Sequence, residues 1–396
     1  MPWGVINIIT KRSEGKWSGS VSFGRSLQSD DQFGDDITTD FSVMGPLIEN
    51  LLELSVRGSV YERMASSPEF EPAIDPNGDV HERSLGFGSG GKTVDNTNQQ
   101  FGVSLLFTPS TSQTIRFDFD NSNQKYDNTP TYNINTGEII YPLGTKDNIE
   151  SIWRTSGGQV SPRAGYAADQ EFDRQWWSLT YDADWDFGST FISLAYVDTQ
   201  NNGRTMPLSV AERQLLQLMY DGVGDYQGME EADRKALAET TFLPRPQRPL
   251  ESSQYTLDAR VDIPLTDLMG NHNLVVGGQV IRGELLDGVF GMEDNVTNGV
   301  QEHNIYALFV EDNWNVIAPL TITAGVRYDN HDVFGSNLSP RLYSVYELSE
   351  NWTVKGVSVR GLKRPKRLIY MMVSLVLVDR VLRLLPVTQI YNQKLV

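Results

Sequence analysis

Hydrophobic and polar residues alternate with a period of two along much of this chain. Leu52, Leu54, Val56 and Val60 interleave with Glu53, Ser55, Arg57 and Ser59, and Ile115, Phe117 and Phe119 with Arg116, Asp118 and Asp120. Trp177, Leu179, Tyr181, Ala183, Trp185 and Phe187 interleave with Ser178, Thr180, Asp182, Asp184 and Asp186. Tyr255 to Ile263 and Leu320 to Tyr328 repeat the pattern. Successive side chains of a β-strand point to opposite faces, so this period predicts strands with one apolar and one polar face. Thirteen are predicted, at about 17–28, 35–46, 51–63, 97–108, 111–127, 171–185, 187–200, 251–264, 271–285, 301–315, 320–331, 338–348 and 351–357.

Alternation by itself fits a soluble β-sandwich as well as a membrane barrel. Two features favour the barrel. The polar faces are densely charged, as a water-filled lumen requires, and Trp177, Trp185 and Phe187 sit toward the ends of an apolar face, as in interfacial girdles. The connections add a third. Short ones (Pro46–Asn50, Pro109–Ser110, Asp186, Leu265–Gly270, Val316–Pro319, Ser349–Glu350) are sorted against long ones (Met64–Asn96, Asn128–Gln170, Asn201–Leu250, Leu286–Val300). Tight periplasmic turns and long external loops sort in this way, whereas a sandwich has no reason to order its loops by parity. The fold class is therefore all-β, a partial transmembrane antiparallel β-barrel of about thirteen strands.

Composition removes other classes. The 396 residues carry 33 Lys and Arg against 51 Asp and Glu, a net charge of −18, which argues against nucleic-acid binding. Without Cys there is no disulfide, zinc knuckle or thiol nucleophile. His81, His272, His303 and His331 are far apart in sequence, and none shares a metal-ligand spacing with another. No catalytic constellation appears, so the chain is not expected to be an enzyme, and no cofactor or resident metal is implied. No apolar run reaches the ~18 residues of a membrane-spanning helix. Met1-Pro2-Trp3 leads straight into Gly4-Val5-Ile6 with no secretory signal, so the chain as given is not expected to be exported.

The long loops contain their own signals. Ser209-Val210-Ala211-Glu212 is a capping box opening a helix with Leu215, Leu216 and Met219 on one face, and Glu230–Glu239 predicts a second. These helices are expected to pack the loop onto itself, because an anionic helix is a poor membrane binder. Asp75-Pro76-Asn77-Gly78-Asp79 resembles part of a calcium loop but lacks the bidentate Glu, and it predicts a turn. Gly86–Gly91 is not placed between strand and helix as a phosphate loop would be, and Asp30-Asp31 with Asp35-Asp36 marks a solvated hairpin tip.

Two stretches resemble a family. Gly4-Val5-Ile6-Asn7-Ile8-Ile9-Thr10-Lys11 is similar to the strand that ends the plug domain of TonB-dependent outer-membrane receptors. Ile305–Gly356 resembles their mid-barrel signature, with Glu311-Asp312, then Gly325-Val326-Arg327-Tyr328-Asp329, then Ser339-Pro340-Arg341. The branch it most resembles is that of the catecholate-siderophore and colicin I receptors. The resemblance implies an outer-membrane barrel of 22 strands around a plug, ferric siderophore bound by external loops and plug apices, and transport driven by TonB without chemistry on the substrate. It also implies that 1–13 is a plug remnant and 14–356 the N-terminal part of the barrel. With the TonB box and most of the plug not represented, contact with TonB is not expected of this chain. An anionic ferric catecholate calls for Arg and for aromatic rings, and the external loops offer Trp153, Arg154, Arg163, Tyr166 and Arg204. Each also fits an ordinary polar loop position. The alternatives are a smaller closed barrel acting as a passive pore or adhesin, and a soluble secreted β-protein.

The tail differs from everything before it. Residues 357–396 hold eight basic residues and one acidic, whereas 1–356 hold 25 of the 33 basic and 50 of the 51 acidic residues. Reading back-translated codons one base out of phase converts Val357–Lys366 into Val-Ser-Gln-Gly-Phe-Lys-Thr-Pro-Lys. The same shift converts Val387–Leu395 into Asn-Pro-Asp-Leu-Gln-Pro-Glu-Thr. Both strings are similar to what this family carries after its Trp-Thr-Val-Lys-Gly strand. A one-base deletion near Gly356 is thus expected, and the chain should be a non-functional fragment of a receptor. Leu368–Val378, apolar and nearly uncharged, is an aggregation-prone window.

Overall fold

The computed structural model describes residues 13–361 and 368–377, apart from 14, 67, 69–70, 82–93, 130, 133–138, 141–142, 144–146, 154, 157, 161–164, 168, 293–298 and 351. The plug-like stretch 4–11 and Gly86–Gly91 lie outside the described residues. One antiparallel sheet of fourteen strands dominates, each strand bonded to its neighbours in chain order. The strands are β1 (Ser18–Ser26), β2 (Asp36–Ile48), β3 (Leu52–Arg63), β4 (Asn96–Ser110), β5 (Gln113–Asp127), β6 (Asp169–Trp185) and β7 (Gly188–Asn201). They continue as β8 (Leu250–Leu265), β9 (Asn271–Asp287), β10 (Gly299–Ile317), β11 (Leu320–His331), β12 (Gly335–Ser349), β13 (Trp352–Gly361) and β14 (Leu368–Leu377). The thirteen strands expected from the alternation are all present. The fourteenth lies in the basic tail, paired to β13 from Trp352↔Leu377 to Gly361↔Leu368. Among the described pairings, β1 and β14 each have one neighbour.

The register places like with like. Tyr181↔Ile192, Ile192↔Ala259, Ala259↔Gly278, Gly278↔Leu308 and Leu308↔Tyr328 run side by side across six strands on one face. Among the described residues that apolar face meets no second layer. Leu179 is 45% exposed, Leu257 40% and Leu308 69%. Among the described buried hydrophobics, only Ala183 and Ala307 belong to the fourteen strands. A soluble sandwich would bury this face against a second sheet at ~10 Å. Here it is free for hydrocarbon.

The opposite face is a polar ladder. Arg57 donates to Asp120 at 2.5 Å and to Ser104 at 3.0 Å, and Ser104 donates to Asp118 at 2.6 Å. Further round, Arg327 bonds Asp329 and Gln279, Gln279 bonds Asp258, and Arg341 pairs with Glu311. Such a density of charge is stable only beside water.

The two rims differ as the loop parity predicts. One rim has turns at 49–51, 111–112, 186–187, 266–270 and 318–319. The register shifts of the sheet cluster there, at Pro46/Ile48, Phe107/Ser110, Asn315/Ile317 and Glu347/Ser349, which sharpens local twist where pairing ends. The other rim has 64–95, 128–168, 202–249 and 288–298. One connection there is tighter than expected: β12 begins at Gly335, whose φ of +74° suits glycine, so β11 and β12 are joined by three residues, 332–334. Asp75–Asp79 is the anticipated turn, with the Asp75 carboxylate accepting from the N–H groups of Asn77 and Asp79 inside a short hairpin.

Candidate functional site: the external loop cluster

Above the apolar band the outward face carries an aromatic row. Trp177, Tyr196 and Tyr255 stand on adjacent strands, with centroids 6.1 Å apart for Trp177–Tyr196 and 4.5 Å for Tyr196–Tyr255. Trp185 and Phe187 stack at the short-turn rim, 6.4 Å apart. Trp177 and Trp185 are eight residues apart on one strand, or roughly 26 Å of strand at ~3.3 Å per residue, which brackets a hydrocarbon layer once the strand is tilted. Beyond the upper row the strands stay paired but turn polar on both faces. Asn123 donates to Glu171 and to Asp173 on the outer surface. The long loops therefore start well clear of the apolar band.

Three of these loops are joined by extended backbone. Ala167 N–H donates to Gly203 O and Thr205 N–H to Gly165 O. Met206 N–H donates to Pro246 O, Arg248 N–H to Arg204 O, and Gly288 N–H to Pro249 O. Pro244, Pro246 and Pro249 each hold φ at about −65°, which stiffens the segment carrying the arginines between them. Arg248 grips Asp287 with two bonds, at 2.7 and 2.6 Å. Thr205 donates to Asp147.

The strap carries the two predicted site residues that the structure brings together. Tyr166 and Arg204, 38 positions apart, form an isolated antiparallel bridge, and the Arg204 guanidinium carbon lies 4.0 Å above the Tyr166 ring centre. Both side chains are half-buried, and among the described residues no carboxylate pairs with Arg204. An uncommitted cation on a phenol can hold an anionic aromatic ligand. Arg154 and Arg163 lie outside the described residues.

Trp153 is placed differently from the expectation of a ligand-facing ring. It is 7% exposed, in a small core with Ile152, Val160, Leu208, Leu216, Met219, Ala238 and Phe242. Its ring packs on Tyr220 at 5.4 Å and its indole N–H donates to Glu231. The ring is used to join helix α1 (Ile149–Ile152) to α2 (Val210–Asp221) and α3 (Glu231–Phe242). The capping box is as expected: Ser209 accepts from Glu212 N–H while the Glu212 carboxylate accepts from Ser209 N–H. Gly222, at φ +64°, ends α2 in a left-handed cap. The two helices do pack the loop onto itself. Leu216 and Met219 face its core, while Leu215 is 37% exposed at the margin.

Arg245 was not singled out by the sequence, yet it clamps this unit. It is 7% exposed, bonds both oxygens of Glu212 at 2.8 and 3.1 Å, and donates to Met206 O and Pro207 O. Burial pushes the Glu212 carboxyl up, but the Arg245 guanidinium and the Ser209 N–H together outweigh it and hold the group below its ordinary value. A depressed folded pKa stabilises the folded loop above the unfolded carboxylate's pKa, about 4.3, and this support is lost as pH falls through the lower folded value. Amide protection across 210–242, taken relative to the intrinsic exchange rate at each pH, is expected to hold from pH 7 to about 4.3 and to fall below. Protection unchanged down to pH 2 would contradict the clamp.

An outward apolar face without a protein partner, aromatic rows at two heights, a charged inner face and long loops gathered at one rim define the wall of a transmembrane β-barrel. No described helix is long and apolar enough to cross a membrane, a fact that does not bear on strands. The sequence profile described as "TonB dependent receptor-like, beta-barrel" matches residues 70–372, and the chain belongs to that family. It is a family of receptors rather than of enzymes. The ferric enterobactin receptor of Pseudomonas aeruginosa is 26% identical over 377 residues, covering 91% of this chain and 44% of that protein. The iron-regulated outer membrane virulence protein of Vibrio cholerae is 22% identical over 369 residues, covering 92% and 41%. Among solved structures, a variant of the Pseudomonas receptor in complex with enterobactin superposes with a TM-score of 0.59 at 20% identity, covering 90% of this chain and 46% of that one. The chain thus spans less than half the length of the relatives it matches.

Proposed function

We propose that this chain supplies barrel wall and external loops to an outer-membrane receptor for a ferric catecholate siderophore, with Tyr166 and Arg204 contacting the chelate. The observation that carries this reading is the Arg204 guanidinium stacked at 4.0 Å on Tyr166, without a carboxylate partner among the described residues, in loops held above a lipid-facing band. A tris-catecholate complex of ferric iron is anionic and aromatic, and both properties are matched. In the family, uptake is driven by TonB through the plug, so TonB is the proposed partner of the whole receptor. With one neighbour each for β1 and β14, the described sheet taken alone does not close a lumen, and open edges in lipid cost several kcal/mol per unpaired group. This stretch by itself is accordingly proposed not to transport.

The test is binding of ferric enterobactin to the refolded chain in detergent. Arg204→Ala is expected to weaken it by roughly tenfold or more, the worth of a charged contact, and Tyr166→Ala by a smaller factor. High salt should weaken it further. Wild-type affinity in both variants, or TonB-independent conductance with no chelate binding, would overturn the reading in favour of a pore.

Residues 357–396 are further proposed to be read out of frame. What supports this is the switch to eight basic residues against one acidic and the family-like strings restored by a one-base shift. The family match runs on to residue 372 and β14 pairs with β13, so backbone pairing is not what supports it. The nucleotide sequence decides: an intact frame without a restorable motif would falsify it.

A further inference from the structure

We propose that the turn 266–270, between β8 and β9, is a membrane anchor that seats Leu268 and Met269 in the phospholipid leaflet at the short-turn rim. The other turns described at that rim take two or three residues, whereas this one takes five. A hairpin needs no such length to reverse the chain. Leu268 is 55% exposed and Met269 86%, the highest value among the described large hydrophobics. Asp267, Met269 and Gly270 have positive φ, at +65°, +56° and +121°. Aspartate and glycine adopt that region readily, but a methionine does so only where its surroundings hold it.

Two side chains of the outward face hold this turn. His272 and Trp314 are cross-strand partners, on the same parity as Val276 and Val310. Their rings stack, with centroids 5.3 Å apart and planes 9° apart. The Trp314 indole N–H donates to Met269 O at 3.0 Å. His272 meets the Asp312 carboxylate at 2.7 Å through Nδ1 and Leu268 O at 3.0 Å through Nε2. A carboxylate and a carbonyl only accept, so the ring serves both as the imidazolium. Gly270 O accepts from Leu268 N–H. The carbonyls of Leu268, Met269 and Gly270 are thus all bonded.

These bonds select the partner. They tie the turn to the lipid-facing side of the wall rather than to the lumen. Trp314 ends the outward row of Leu308 and Val310 as an interfacial aromatic does, so the turn hangs at headgroup level. An unbonded carbonyl is costly at the edge of hydrocarbon, and here three successive carbonyls already have donors. Leu268 and Met269 then continue an established apolar face into the leaflet. Asp267 is the only charged residue of the turn, and it stays on the water side.

The chain has no Cys, so a single introduced thiol takes a label cleanly. A nitrobenzoxadiazole fluorophore on Met269→Cys is read in the full chain folded into phosphatidylethanolamine–phosphatidylglycerol vesicles. Thr111→Cys, exposed in the turn 111–112 of the same rim, is the reference. Nitroxide carried on the lipid acyl chains is expected to quench the Met269 label several-fold more than the Thr111 label, and aqueous iodide several-fold less. Combining His272→Phe with Trp314→Phe keeps two rings and removes the donors. That pair should return the Met269 label to iodide, with unchanged far-ultraviolet circular dichroism showing that the sheet persists; Trp314→Phe alone, losing one donor, should do so in part. Equal iodide quenching at the two sites would leave the turn in water, and quenching by neither reagent would mean a protein contact; either overturns the anchor. A Met269 label equally protected in both ring variants would overturn the fastening by His272 and Trp314. Chelate binding plays no part in this readout.

Discussion

Leu308→Arg is expected to destabilise the chain in a lipid bilayer by about 2–4 kcal/mol, the cost of a cation placed midway down the lipid face of a barrel. Leu308 is 69% exposed, with Tyr306 above it and Val310 below on the same outward row. At so exposed a position in a water-soluble protein, the same change would fall within about 0.5 kcal/mol of neutral. The sign of the exposure effect is thus inverted by the solvent. Urea titration of the chain folded into vesicles measures it, with Thr256→Arg on the lumen face as the comparison. A cost below about 0.5 kcal/mol for Leu308→Arg would place that face in water.

Arg245→Met should loosen the helical loop without disturbing the sheet. Removing one partner of a buried pair costs about 3–5 kcal/mol, and the low end applies because the Glu212 side chain is 34% exposed. Methionine keeps the stem's packing, so the loss reports the charge and its four hydrogen bonds rather than volume. Limited proteolysis is expected to cut between α2 and α3 at least tenfold faster, while the strand region stays resistant. Glu212→Gln should produce part of the same effect. If cleavage is unchanged in both variants, Arg245 does not hold the loop.

The strands were readable because a barrel wall has one environment on each face, so a period-two pattern survives without interruption from Trp177 to Trp185 or from Tyr255 to Ile263. Loop parity was readable for the same reason: every strand must cross the same layer. The loops were less transparent. The capping box at Ser209 announced α2 because its chemistry is local, whereas the use of Trp153 as core depends on α3, nearly eighty residues on, where Glu231 meets its indole. An aromatic ring in a loop looks alike whether it awaits a ligand or packs on a helix. Residue type alone points to Tyr166 and Arg204, and only the cross-loop bridge shows that they meet. Arg245 and Arg248 leave a signal in the prolines around them, but their acidic partners Glu212 and Asp287 lie 33 and 39 residues away.

Nitroxide labels placed one at a time from Tyr255 to Ile263 test most directly whether the greasy side of this sheet meets lipid. In vesicles, labels at Leu257, Ala259 and Val261 should be relaxed by membrane-dissolved oxygen and shielded from a water-soluble nickel chelate. Labels at Thr256, Asp258 and Arg260 should show the reverse. Two-residue alternation in both reagents is the result required. Loss of it, or labels at Leu257 and Val261 reached by neither reagent, would mean a dry protein interior and would contradict a membrane-spanning wall.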